Sequence, residues 1–344
     1  MVGASIGFLS LVLVAPHLWP AAPDALAEAA RGTALAREGQ YDLAIQHYKE
    51  ALRLDSRLPG LYLNLGLAYF KSKRLPEAAA AFEEAVKADS GSFQARALLG
   101  MSYYGSARYR EAAAQLKLAS AAQPENLELR FTLAQSYLWA GQYAEATAEV
   151  KFLLSKDPDS APVHVLLGEV LDAAGQAGAA TAEFEAAAKA PAVPREAHFG
   201  LGYLYWKQRR FEEARREFQA ELYVQPQHGQ ALAYLGDIEM RLERDKAAEA
   251  LLRRALALDP SLRLAHLDLA ILLANRKDSS GAARHLQEAI RLDPSKPDAH
   301  YRLGRLWRSL GRDQEAQAEF ETVRKLAAEE PPPPLIRLPG RKLP

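Results

Sequence analysis

The sequence predicts an all-α solenoid of antiparallel helix hairpins, and three observations carry that prediction. A glycine or alanine recurs every 34 residues, at Gly32, Gly66, Gly100, Ala134, Gly168, Gly202, Gly236, Ala270 and Gly304, and leucine precedes all of them except Gly32, which follows Arg31. An alanine follows each one at a fixed distance, from Ala44, Ala78 and Ala112 through to Ala316, with no insertion or deletion. The composition is rich in alanine, with 25% charged residues, which favours helix. Self-similarity at this period marks a repeat architecture.

Each unit reads as two helices. In "LYLNLGLAYFKSKRLPEAAAAFEEA" the first helix places Tyr62, Leu65 and Tyr69 on one apolar stripe. Gly66 costs that helix about 1 kcal/mol relative to alanine, and its register with Ala78 predicts a close approach of two backbones through two small residues. Pro76 opens the second helix, where its missing N–H has no intrahelical partner. Asp157-Pro158, Asp259-Pro260 and Asp293-Pro294 end second helices, because proline disfavours helix at the residue before it. A lone hairpin leaves an apolar face bare, so stacking must supply the core. The frame runs 25–58, 59–92, 93–126, 127–160, 161–194, 195–228, 229–262, 263–296 and 297–330. Outside it lie an apolar segment, 1–24, and a proline-rich basic tail, 331–344, which together are too short for a catalytic domain.

Repeat 59–92 supplies Tyr62, Leu65, Gly66, Tyr69, Ala78, Phe82, Ala85 and Ser90 at its key positions. Repeat 195–228 supplies His198, Leu201, Gly202, Tyr205, Ala214, Phe218, Glu221 and Pro226. This pattern resembles the signature of the tetratricopeptide repeat family. The resemblance implies a right-handed superhelical solenoid, an inner groove lined by the first helices, and protein binding in place of catalysis. Departures fall at Arg31 and Leu35 in the first repeat and Val323 in the last, and Glu221 puts a charge at a small-residue position.

The chain ends predict a location. "IGFLSLVLVA", Ile6 to Ala15, is apolar, and the first basic residue is Arg31. The run is short of the ~20 residues of a spanning helix. It reads as a secretory signal with small-residue cleavage sites at Pro20-Ala21-Ala22 or Ala25-Leu26-Ala27, as an uncleaved anchor, or as a buried segment. The expectation is an exported, periplasmic or inner-membrane-tethered protein of bacterial type, with a cytoplasmic adaptor as the alternative. The tail "PPPPLIRLPGRKLP" favours extended or disordered chain.

Charge is balanced, 43 basic against 43 acidic residues, so a general nucleic-acid binder is not expected. Cysteine is absent, which removes disulfides, thiolate metal ligands and cysteine nucleophiles. No phosphate loop, paired catalytic carboxylate or nucleophile elbow is present, and no catalytic, cofactor-binding or metal-binding residue is assigned. His164, His198, His266 and His300 share the fourth position of their repeats, and His47 and His285 share another, so they read as scaffold.

The groove-facing positions carry the functional expectation. They are Asn64, Leu67 and Phe70, then Met101 and Tyr104, then Phe131, Gln135 and Trp139. Further along come Phe199, Tyr203 and Trp206, then Tyr234 and Asp237, and finally Arg302 and Arg305. Aromatic residues and methionine carry interface energy, so an apolar or aromatic-rich peptide, or a partner helix, is the expected ligand. Packing between helices competes with that reading at some of these positions. Arg302, Arg305 and Arg308 suit either an anionic contact or plain solvation. The setting expected by analogy is assembly of an envelope or secretion complex, with an accessory role in a polysaccharide or glycosyl-transfer machine as an alternative.

Overall fold

The computed structural model describes residues 23–190, 193–194 and 197–329. The apolar run, the Pro20-Ala21-Ala22 site and the tail lie outside the described residues, whereas Ala25-Leu26-Ala27 falls within the first helix. The described chain is all helix, with no strand. Its first compact unit, up to Ala192, holds five hairpins: α1 (Pro23–Arg37) and α2 (Tyr41–Leu54), α3 (Leu61–Lys71) and α4 (Leu75–Ala88), α5 (Phe93–Gly105) and α6 (Tyr109–Ala122), α7 (Leu127–Trp139) and α8 (Tyr143–Lys156), α9 (Ala161–Ala173) and α10 (Ala177–Ala188). The second unit, from Val193, holds four: α11 (Ala197–Lys207) and α12 (Phe211–Val224), α13 (Gly229–Arg241) and α14 (Asp245–Leu258), α15 (Arg263–Asn275) and α16 (Ser279–Leu292), α17 (Pro297–Ser309) and α18 (Asp313–Glu329).

The second helix of every hairpin starts 34 residues after the previous one, from Tyr41 to Asp313. Second helices stop before Asp157, Asp259 and Asp293, where the prolines predict, and the aspartates then cap the turn. Asp259 and Asp293 accept the N–H of Ser261 and Ser295 through Oδ1 at 2.8 and 3.0 Å.

One conformation joins the helices of every hairpin. Gly39, Lys73, Ala107, Gly141, Gly175, Arg209, Glu243, Lys277 and Gly311 all have φ between 58° and 78°, again 34 residues apart. The residue turns the chain out of the first helix, so that Arg74 N–H reaches back to the Tyr69 carbonyl at 2.9 Å. Five of the nine carry a side chain, although the left-handed region costs a non-glycine residue roughly 1–2 kcal/mol.

The recurrent glycine approaches the alanine that its register predicts, a Cβ on Gly32 or Gly236 falling 3.2 or 3.5 Å from the Ala44 or Ala248 carbonyl, but its nearest partner is another residue. A Cβ on Gly66 would fall 2.5 Å from the Phe82 ring. Gly32 meets Tyr48, Gly100 meets Leu116, Gly168 meets Phe184, Gly202 meets Phe218, Gly236 meets Leu252 and Gly304 meets Phe320, in each case sixteen residues on. The glycine is therefore a slot for the large residue of the facing helix. Two small residues touching would bury little area, whereas a ring in a slot buries much more. Where the fourth repeat has Ala134, the residue sixteen on is the smaller Val150, and both are buried.

Candidate functional site

In seven of the nine hairpins the position-four side chain pairs with the residue nineteen further on, the exceptions being those of Tyr62 and Leu232. His47 Nδ1 lies 2.6 Å from Glu28 Oε2, and His164, His198 and His300 contact Glu183, Glu217 and Glu319 at 2.6–2.7 Å. Arg130 does the same with Glu149 at 2.6 Å and Arg96 with Gln115 at 3.1 Å. The second nitrogen often reaches the preceding turn: His164 Nε2 donates to the Pro158 carbonyl at 2.9 Å and Arg130 Nε to that of Pro124 at 2.7 Å. These residues clip the two helices of one hairpin together and tie them to the turn before it. In the eighth repeat the pair is two histidines, His266 and His285, with Nδ1 atoms 2.9 Å apart. The Pro260 carbonyl fixes the proton of His266 on Nε2, so the His285 Nδ1–H donates to His266. Among the described residues no three His, Cys, Asp or Glu side chains converge on a metal position.

Glu221 also has an account. Gln225 donates to its Oε1 at 2.6 Å, and His228 Nε2 stands 3.9 Å away while stacking on Phe199. The charge that departs from the pattern is held at the turn into the seventh repeat.

In the first unit the first helices of neighbouring hairpins touch in series, α1 with α3, α3 with α5, α5 with α7 and α7 with α9, and form one continuous face; in the second unit α13 touches α15, and α11 meets α13 through side-chain rings. In the second unit that face carries an aromatic wall. Phe199, Tyr203 and Trp206 follow one stripe of α11, and Tyr234 of α13 meets all three, at 6.0, 5.6 and 5.0 Å between ring centroids. All four are half-buried. The Trp206 indole N–H donates to Asp237 Oδ2 at 2.5 Å, and Arg241 Nε donates to the same oxygen at 2.7 Å. Burial, with Tyr203 and Asp237 beside it, pushes the Tyr234 hydroxyl up to about 12, so it stays a neutral donor. The wall therefore offers flat apolar area with a buried acid fixing its tryptophan.

Beyond Asp237 lies Asp268 of α15, 3% exposed, with an Oδ2 that has no hydrogen-bond partner. Burial, then the Asp237 charge, raises its carboxyl well above the usual range, against the pull of Arg241 and Arg302.

In the first unit, Phe70, Met101, Tyr104, Phe131 and Gln135 are half-buried on the first helices, and Trp139 is 59% exposed. Trp139 lies against Tyr109, which meets Tyr104 edge-on at 5.7 Å. A cavity of about 50 Å³ opens between α5 and α7, lined by Phe93, Leu98, Met101 and Leu129 among others. Asn64, Leu67 and Asp237 sit below the surface, because their positions turn toward the next first helix. Arg302 and Arg305 are exposed on α17. Sequence reasoning missed Tyr109. Its signal was the aromatic opening of second helices, repeated at Tyr41, Tyr143 and Phe211.

Tetratricopeptide repeat family models match residues 32–73, 59–92, 103–170, 165–225, 199–262 and 267–331. The chain belongs to the tetratricopeptide repeat family. Among curated proteins none matches it. Of solved structures, it is similar to a chain of the APC/C hetero-tetramer Cut9–Hcn1 (TM-score 0.60, 14% identity, 89% of this chain and 74% of that one). It is also similar to a tetratricopeptide repeat protein from Parabacteroides merdae (0.57, 12% identity, 76% and 97%). A third similar structure is pilF of Pseudomonas aeruginosa (0.54, 18% identity, 60% and 95%). At these identities the likeness is one of fold, and proteins of this fold are interaction scaffolds.

Proposed function

We propose that this chain is a non-catalytic scaffold that holds an apolar, aromatic-rich peptide or a partner helix against its first-helix faces. The observation that carries the reading is the Phe199–Tyr203–Trp206–Tyr234 wall, four rings joined through Tyr234 and none fully covered. Half-exposed rings on rigid helices lose little entropy on binding, which is how such residues become interface anchors. Trp139, with Tyr109 and Tyr104, offers the same chemistry in the first unit. Neither nucleic acid nor cofactor is part of this reading, and the balanced charge of the chain supports that.

The setting we propose is assembly of an envelope or secretion complex, with the protein exported or tethered to a membrane by its N-terminal segment. It rests on the apolar run from Ile6 to Ala15. N-terminal sequencing of the mature protein tests it: an intact Met1 removes the cleaved-export version. The binding reading is tested by affinity capture from the source cell with the full chain, read by mass spectrometry. Tyr203→Ala and Trp139→Ala should each lower recovery of the captured partner at least several-fold with unchanged helicity. Equal recovery by the wild type and both variants refutes it.

A further inference from the structure

We propose a second interaction surface, at the outer side of the last hairpin, that receives an acidic helix of a partner protein. A cleft of about 610 Å³ opens between α17 and α18, lined by Tyr301, Arg305, Arg308, Gln317, Phe320 and Arg324 together with Ser309. Its floor is a core residue left uncovered. At the same register Phe218, Leu252 and Leu286 are buried beneath the following hairpin, whereas Phe320 is only partly covered and Tyr301 is 49% exposed. The shape of the face is thus that of a hairpin-stacking surface, whose natural complement is a helix.

Charge identifies what kind of helix. Many surface arginines pair with an acid on their own helix or turn, as in Arg74–Glu77, Arg108–Glu111, Arg210–Glu213, Arg291–Glu288 and Arg312–Glu315. Arg305 and Arg308 have no ion pair among the described residues. Arg308 lies over the Phe320 ring at 4.6 Å and Arg305 over Tyr301 at 6.0 Å, so both guanidinium groups rim the cleft. Of the three arginines that line the cleft, Arg324 has an acid partner among the described residues, Glu321 at 3.7 Å. Residues 331–344 carry Arg337, Arg341 and Lys342 and no acid, so they offer no charge complement to the rim. A helix with apolar residues on one stripe and glutamates or aspartates flanking them would cover the rings and neutralise the rim. This surface is separate from the aromatic wall, so either can fail without the other.

The test uses the full chain and a fluorescent fifteen-residue helical peptide with leucines at i, i+4 and i+7 flanked by glutamates. The same peptide with lysines replacing the glutamates is the control. The expected result is at least tenfold tighter binding of the glutamate peptide, weakening as salt rises. Combined Arg305→Glu and Arg308→Glu should cost tenfold or more and transfer the preference to the lysine peptide, while Tyr203→Ala leaves both affinities unchanged. Both arginines are exposed and unpaired, so circular dichroism and melting should match the wild type, and Arg305→Gln with Arg308→Gln serves if the reversal perturbs folding. Equal affinity for the two peptides, or no effect of the arginine changes, overturns the proposal. So does a single-stranded oligonucleotide that binds tighter than the glutamate peptide at the same arginines, or self-association of the chain abolished by the reversal.

Discussion

A Cβ on Gly66 would enter the Phe82 ring, and that one contact decides the sign of a substitution. In a free helix Gly→Ala stabilises by about 1 kcal/mol. Here Phe82 is fully buried and cannot move aside cheaply, so Gly66→Ala should destabilise by about 1–3 kcal/mol. The cost should largely vanish in a Phe82→Val background, the size combination found at Ala134 and Val150. A double-mutant cycle by urea denaturation measures it. The turn residues give a prediction of opposite sign. Ala107 holds φ at 58°, so Ala107→Gly should raise stability by about 1 kcal/mol, seen as a higher urea midpoint at unchanged m-value. The glycine's importance was legible because it repeats. Its partner was not, since a period shows that a space exists without showing which side chain fills it. The left-handed turn was hidden further, because lysine, alanine, arginine, glutamate and glycine share no sequence signal.

Pairs between helices follow rules that the sequence states only once the register is known. Arg74, Arg108 and Arg210 lie over Tyr69, Tyr103 and Tyr205, and Arg312 over Trp307, at 3.7–4.8 Å. Where the seventh repeat replaces that ring by the buried Glu239, Arg244 becomes its ion partner at 3.2 Å. The recurrent histidines were legible as scaffold, but as partners of carboxylates they clip hairpins instead of packing as aromatics. The His266–His285 pair breaks this rule and predicts acid sensitivity. Burial holds the His285 imidazole below its usual range, and His266, Arg253 and Arg284 add to that, with Asp278 opposing. A histidine with a depressed folded-state pKa contributes stability that is complete above the unfolded value and is lost as pH falls through 6.5 towards the folded value. His285→Glu recreates the pairing of the fifth, sixth and ninth repeats. It should raise stability at pH 5 by about 1 kcal/mol relative to the wild type and shrink the drop between pH 7.5 and 5. Melting at the two pH values checks this. Asp268 has the reverse dependence. Its carboxyl is raised, so the folded state is favoured when it is protonated and penalised as pH climbs above the unfolded value of 3.8. Asp268→Asn should therefore stabilise by at least about 1 kcal/mol at pH 7.5, with the gain fading in acid.

For the molecule as a whole, the solenoid was legible almost entirely, because one unbroken period constrains every helix start. The division after Ala192 was less so. It falls at the fifth second helix, which ends at Ala188, two residues earlier than its counterparts' spacing, before Pro191 and Pro194. The candidate site was legible in part: periodicity gives the face a residue lies on, and neighbours decide how deep it sits. Thus Trp139 stands out while Asn64 is covered, although both occupy first-helix face positions. Terminal hairpins bury one side only, so native-state hydrogen exchange should show α17 and α18 opening at lower free energy than α13 and α14, by about 1–3 kcal/mol. Uniform protection across the second unit would contradict that.

Because the polar clips join residues nineteen apart inside a single unit, both members of a clip are inherited together. Loss of residues 127–160 through unequal exchange between repeats would remove Arg130 and Glu149 as a couple, and His164, which loses the Pro158 carbonyl, would find in its place the Pro124 carbonyl that Arg130 had used. The array can therefore shorten or lengthen by whole periods without parting a clip, whereas ion pairs that cross a junction, such as Lys156–Glu125 and Arg276–Glu249, lack that freedom. Arg215 and Glu239 span the sixth and seventh units at 2.6 Å. A duplication or loss that parts them leaves Glu239 with Arg244 alone, which makes that junction the stretch where the gene's length is least free to drift.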